Sequence, residues 1–216
     1  KTMIITYFGE QFFKIAQGEM TLAFNPVSRD AKSSVSARFG ADIAFTTTNY
    51  SLFNGVEQLS HGDTKPFVIN GPGDYEVKEV FIKGVISNAL ISKKKYINTI
   101  YSFILDNIHV VFLGALSDDE MSKESREAID SPDILFVPIG GESVHKEVSL
   151  LDAKSAARFA LSLEPKLIIP MSYDDATLKV FLKEIGEENA PVMDKLTLKM
   201  KDLDGKEGEI MVLKPA

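Results

Sequence analysis

Cysteine is absent from this 216-residue sequence, and histidine occurs only three times, as His61, His109 and His145. Without cysteine there is no disulfide scaffold, thiolate zinc site, iron–sulfur cluster or cysteine nucleophile. Three imidazoles restrict metal chemistry before any motif is read. Long apolar runs are missing as well. The longest, such as Val110 to Leu113 and Ile134 to Val137, are strand-sized and far below the roughly 18–20 residues of a membrane span. Cations are in deficit: 24 Lys plus Arg stand against 31 Asp plus Glu, a net charge of −7. That balance is wrong for a duplex nucleic-acid binder, which needs a cationic footprint. The amino-terminal apolar patch is too short for a signal peptide, so a cytoplasmic location is expected. What is present is ordinary for a globular protein, 44% hydrophobic and 25% charged, at a length that buries a substantial core.

The first half reads as β. Met3 to Phe8, Phe12 to Ala16 and Met20 to Phe24 are short runs of β-branched and aromatic residues, separated by Gly9-Glu10 and Gln17-Gly18-Glu19. This spacing predicts a meander with tight turns. Ile43 to Thr47, Pro66 to Ile69, Val80 to Ile86, Thr99 to Leu105 and Ile108 to Leu113 continue the pattern, and Asp106-Asn107 is a two-residue hairpin turn. The second half alternates strand and helix. Ser117 and Glu120 have capping-box spacing, Asp152 caps a helix through Leu163, and Asp174 or Asp175 caps a second that ends at Gly186. Ile134 to Val137 and Leu167 to Ile169 are buried-type strands, and Leu196 to Leu213 reads as a carboxy-terminal hairpin turning at Asp204-Gly205. We expect one domain over residues 1–216, of mixed α/β (α+β) class.

Several segments together resemble one family. They are Ile4-Ile5-Thr6-Tyr7-Phe8-Gly9, Phe24-Asn25-Pro26, Gly71-Pro72-Gly73-Asp74-Tyr75-Glu76-Val77, Leu113-Gly114, Asp133-Ile134-Leu135-Phe136-Val137-Pro138, and Glu164-Pro165-Lys166-Leu167-Ile168-Ile169-Pro170-Met171. Their content and order are similar to metallo-β-lactamase fold proteins of the ascorbate-6-phosphate-lactonase-like branch. The resemblance implies a four-layer αββα sandwich with two zinc or manganese ions at one edge. It also implies hydrolysis of lactones, esters, amides or phosphodiesters.

The ligand positions that the resemblance implies are substituted. The family's His-x-His-x-Asp-His follows the strand matched by Ile43 to Thr47. Here Thr48 and Tyr50 stand at the first two histidines, and Leu52 and Phe53 at the Asp and third histidine. The bridging Asp of a Leu-Gly-Asp motif becomes Ala115, and the final histidine after Pro-Met becomes Ser172. Glu10 and Asn25 replace the His of a Gly-His and the Asp of an Asp-Pro. Leu and Phe carry no donor atom, and Thr and Tyr oxygens hold protons at neutral pH. We therefore expect no bound cofactor, with Leu52 and Phe53 filling part of the metal pocket.

The expected function is a non-catalytic protein on a hydrolase fold, a binding or assembly subunit that partners itself or a catalytic relative. An open pocket lined by Glu10, Asn25, Thr48, Tyr50 and Ser172 would favour a small-molecule ligand. The alternative is a hydrolase with an oxygen-rich site drawn from Glu10, Asn25, Asp174 and Asp175. It requires several carboxylates within about 2.0–2.6 Å of one point. An unrelated α/β binding domain is a third reading, disfavoured by the Gly71 to Val77 and Glu164 to Met171 segments. Asp118-Asp119-Glu120 and Asp174-Asp175 are expected to cap helices. Lys93-Lys94-Lys95 should be a solvated turn, and Gly71-Pro72-Gly73 and Gly140-Gly141 tight turns. The three histidines are expected in structural or surface roles, and Ser172, Tyr173 and Asp174 in one hydrogen-bond network.

Overall fold

The structure is a computed structural model that describes residues 1–60, 63 and 65–216. His61 lies outside the described residues. Two sheets pack face to face. The first holds β1 (Met3–Gly9), β2 (Phe12–Gln17), β3 (Met20–Phe24), β4 (Ile43–Phe45) and β5 (Phe67–Ile69). The second is built on β6 (Gly73–Val77), β7 (Val80–Ile91), β8 (Lys94–Leu105), β9 (Ile108–Phe112), β10 (Ile134–Pro138), β11 (Val148–Ser149) and β12 (Leu167–Met171). Among the described residues there are three α-helices, α1 (Lys123–Glu127), α2 (Ala153–Ser162) and α3 (Asp175–Ile185), all in the second half. The chain closes with β13 (Val192–Met193), β14 (Lys195–Leu198), β15 (Glu209–Ile210) and β16 (Val212–Leu213).

Alternation along the strands decides which side chains meet between the sheets. Met3, Ile5 and Tyr7 of β1, Phe13 and Ile15 of β2, and Phe24 of β3 face Tyr101, Phe103, Phe112 and Phe136 of the second sheet in one core. Aromatic rings are its hub: Phe24 stacks on Phe45 at 4.4 Å and lies 4.9 Å from Phe112, and Phe13 meets Phe136 edge-on at 4.9 Å. Such contacts add about 0.5–1.5 kcal/mol each beyond area burial.

The second sheet runs β11-β7-β8-β9-β10-β12-β15, with β6 also on β7. Strands β10 and β12 are parallel and buried on both faces, as unbroken apolar runs require. Their outer side chains Leu135, Val137 and Ile168 pack under the Ala156, Ala157, Ala160 and Phe159 face of α2 and Phe181 of α3. Asp152 and Asp174 cap those helices as expected, and Gly186 ends α3 at φ 86°. Among the described residues, the outer face of the first sheet is covered by chain rather than by an α-helix. Val27, Val35, Phe39 and Ala41, with Leu59 of a 3-10 turn (Val56–Leu59), pack on Phe12, Ala23 and Ala44. No helix among the described residues is long and apolar enough to cross a membrane.

Three expectations are corrected. The carboxy-terminal segment is not a hairpin: β14 pairs antiparallel with β1, while β15 joins β12 and β16 joins β13, both in parallel. The turn at Asp204-Gly205 exists, but its two arms add to different sheets because each finds an open edge. Ser117 and Glu120 do not start a helix. Ser122 caps α1, and Asp118 instead accepts from the Glu120 N–H at 3.2 Å. Finally, of the tight turn expected at Gly71-Pro72-Gly73, Gly73 instead opens strand β6, which pairs with β7. Gly84 allows this pairing, because a Cβ there would sit 2.9 Å from the Gly71 carbonyl oxygen.

Candidate functional site

The residues aligned with metal ligands gather at one end of the sandwich, where the loops after β1, β3, β4, β9 and β12 converge. Three of them, Glu10 (φ 55°), Asn25 (φ 43°) and Ser172 (φ 52°), hold left-handed backbone. Outside glycine and asparagine that geometry is disfavoured and persists only when neighbours enforce it. Here the Glu10 carbonyl accepts from the Ser172 N–H (2.9 Å), the Ser172 hydroxyl (3.2 Å) and the Tyr7 hydroxyl (2.9 Å). Burial pushes the Tyr7 phenol far above its ordinary pKa, so it stays a donor.

Phe53 and Ala115 are fully buried and share one apolar cluster with Ala89, Ile91, Val148 and Leu150. Leu52 packs at the edge of that cluster and of the one over the first sheet. Beside them lies a neutral polar network. The Asn25 amide donates to Gln11 Oε1 (2.8 Å) and Thr47 Oγ1 (2.9 Å) and accepts from the Thr47 N–H (2.8 Å). The Asn98 amide donates to Ser87 Oγ and the Leu113 carbonyl, both at 2.8 Å. Its oxygen accepts from the Ala115 N–H (2.9 Å) and the Thr48 hydroxyl (3.3 Å). Gly114, at φ 65°, lets β9 run this close, since a Cβ there would come within 2.6 Å of the Thr47 side chain.

A loop from Gly141 to Glu147 crosses the rim and touches both walls. His145 Nε2 lies 2.8 Å from Glu10 Oε2, an ion-pair approach outside hydrogen-bond geometry that leaves this buried nitrogen without a hydrogen-bond partner. On the other wall the Tyr50 hydroxyl donates to Glu147 Oε2. Burial, reinforced by Glu147, pushes the Tyr50 phenol up to about 12. The pocket expected from Glu10, Asn25, Thr48, Tyr50 and Ser172 is therefore not one space. Asn25, Thr48 and Ser172 are buried. Glu10 and Ser172 border a cavity of about 420 Å³ with Tyr7, Val144 and Tyr173. Tyr50 is tied to Glu147 instead.

The other candidates separate in the same way. Ser172, Tyr173 and Asp174 form no common network: the Tyr173 hydroxyl donates to the Leu213 carbonyl, and Asp174 accepts from Thr177 N–H as a helix cap. Asp118, Asp119, Glu142 and Asp152 border a second depression of about 550 Å³, yet Asp152 is held by Lys154, Ser155 and the start of α2. His109 sits in β9 with Nε2 at 2.8 Å from Ser102 Oγ, and burial holds its pKa below the usual imidazole value. Among the described residues no three His, Cys, Asp or Glu side chains are grouped to hold a metal ion. The donor chemistry agrees: at the positions where the resemblance implies carboxylates and imidazoles for two metal ions stand the hydrocarbon of Leu52, Phe53 and Ala115, the hydroxyls of Thr48, Tyr50 and Ser172, the amide of Asn25 and the single carboxylate of Glu10. The residues present do not fit the metals that the resemblance implies.

Sequence reasoning missed Asn98, Gln11 and the His145–Glu10 contact. Asn98-Thr99, a polar pair interrupting the apolar run from Ile97 to Leu105, was the available sign of a buried network. Nothing local marked His145.

Two facing sheets with these rim loops define a metallo-β-lactamase-type sandwich. The sequence matches the model of the beta-lactamase superfamily domain over residues 4–172, and the chain belongs to that family. A proposed Zn-dependent hydrolase of the metallo-β-lactamase superfamily from Thermotoga maritima superposes with a TM-score of 0.71 at 24% identity, covering 98% of this chain and 100% of its own. A proposed metal-dependent hydrolase from Parabacteroides distasonis gives 0.64 at 17% identity, with 98% and 94% covered. A metallo hydrolase from the archaeon Ignicoccus hospitalis gives 0.61 at 18%, with 93% and 100% covered. At these identities the likeness establishes the fold alone. No curated protein matches the sequence significantly.

Proposed function

We propose that this chain is a metallo-β-lactamase fold protein without the family's metal centre, acting as a non-catalytic binding or assembly subunit. The observation that carries the reading is the burial of Phe53 and Ala115, both aligned with ligand positions, in one apolar cluster. Burying an aromatic side chain there gains about 1.5–3 kcal/mol, whereas unmetallated carboxylates and imidazoles crowded together would be repelled and desolvated. The Gly71 to Val77 and Glu164 to Met171 segments support placement in the ascorbate-6-phosphate-lactonase-like branch. A protein partner, either a second copy or a catalytic relative, suits a subunit that has kept its fold. The net charge of −7 disfavours nucleic acid, and a cytoplasmic site agrees with the lack of cysteine.

The test is hydrolysis of lactone, ester and phosphodiester probes by the full chain, with and without added zinc or manganese. Turnover indistinguishable from buffer in every case is the expected result. Turnover that rises with added metal and disappears with chelator would overturn the reading in favour of an oxygen-ligated hydrolase.

A further inference from the structure

The cluster under α2 and α3 reaches across the outer face as far as Val85 of β7, Ile100 of β8 and Val111 of β9, and beyond that row, among the described residues, the outer side chains Glu76, Phe81 and Ile104 are exposed. Directly opposed residues of antiparallel strands share a face, so the ladder register defines two rows. Glu76 pairs with Phe81, which stands one step beyond the Ile82–Phe103 pair and thus beside Ile104, and Ile104 pairs with His109. The second row is Asp74, Lys83 and Ser102. Phe81 and Ile104 are 65% and 57% exposed in the middle of the first row. A shallow depression of about 450 Å³ runs along these side chains.

We propose that this face is a homodimer interface, with the second copy related by a two-fold axis that runs along the strands between β7 and β8. The proposal rests on the assembly reading above. The rotation lays Phe81 on the partner's Ile104 and Glu76 on the partner's His109, each contact occurring twice. An isologous interface must complement itself, and this row does so: carboxylate at one end, imidazole at the other, hydrocarbon between. Edge-to-edge pairing is disfavoured, because antiparallel pairing of β6 with its copy about Tyr75 would set Asp74 against the partner's Glu76. The face is small. Four strands about 4.8 Å apart and about five residues long span on the order of 300 Å², below the roughly 800 Å² per partner of a standard interface. The dimer is therefore weak and concentration-dependent.

Sedimentation velocity of the full chain from about 1 to 500 µM reads the equilibrium in the range where small interfaces associate. A monomer that shifts to a dimer within this range is expected. Phe81→Asp alone and Ile104→Lys alone should each abolish the shift, with melting temperatures unchanged because both sites are exposed. An equimolar mixture of the two variants should restore it, since the charged positions face each other at one contact and the native pair remains at the other. A wild-type chain that stays monomeric overturns the proposal, and so does a dimer that survives both variants. A wild-type dimer without rescue in the mixture overturns the two-fold arrangement. Metal-dependent turnover would overturn the non-catalytic reading and leave these outcomes unchanged, so the two failures are distinguishable.

Discussion

Phe53 and Ala115 meet in hydrocarbon, whereas Asn25 and Asn98 meet hydroxyls and amides, and Ala115 belongs to both regions. Its methyl lies in the apolar cluster and its N–H donates to Asn98. Each region includes positions where the resemblance implies metal ligands, Phe53 and Ala115 in the first and Asn25 in the second, and both are neutral. They differ in how they resist change. The apolar side depends on filled volume and tolerates any residue of the right shape. The polar side depends on each donor finding its acceptor, and one missing partner leaves several groups stranded at low dielectric.

Substitutions can separate the two. Phe53→Ala should cost about 3–5 kcal/mol, since a large cavity opens in a tightly packed cluster; urea unfolding measures it. Asn98→Ala should cost about 2–4 kcal/mol despite removing fewer atoms, because Ala115 N–H and the Leu113 carbonyl lose their partner. If the Asn98 variant were near neutral, the polar side would be incidental. The rim also has an acid-sensitive neighbour. Hydrogen bonding from the Thr177 N–H holds the Asp174 carboxyl below the ordinary range. A depressed folded value means its contribution is present above about pH 4 and is lost as pH falls through the folded pKa. Asp174→Ser should keep the cap and flatten melting temperature between pH 5 and pH 2.5, while Asp174→Ala costs about 1 kcal/mol at neutral pH. Smallest is Tyr50→Phe, expected to cost less than about 1 kcal/mol. Its effect should appear instead as faster amide exchange in residues 142–147, where Glu147 loses the hydroxyl.

Local pattern made much of this architecture legible. Strands β1 to β3 fell where alternation placed them, and Asp106 and Asn107 form the two-residue turn between β8 and β9 with both φ values positive, 51° and 65°. Asp152 and Asp174 cap α2 and α3 because a side-chain oxygen before an apolar helical face has few other uses. What escaped was non-local. The pairing of β14 with β1, across nearly the whole chain, leaves no trace in the turn at Asp204-Gly205. Ser117-x-x-Glu120 has the spacing of a cap, but the helix starts at Ser122, whose hydroxyl accepts from the Ser125 N–H. At the rim, Leu52 and Phe53 could be read as unable to bind metal from residue type alone. Whether Glu10 and Tyr50 would share a pocket depended on where the Gly141 to Glu147 loop lies, and no local motif encodes that.

The measurement that tests the central claim most directly is metal content of the full chain, purified without chelator and incubated with zinc and manganese, by inductively coupled plasma mass spectrometry. The account predicts metal far below one ion per chain after desalting, and a melting temperature that neither ion raises. One or more ions retained per chain, with a stabilised fold, would contradict it.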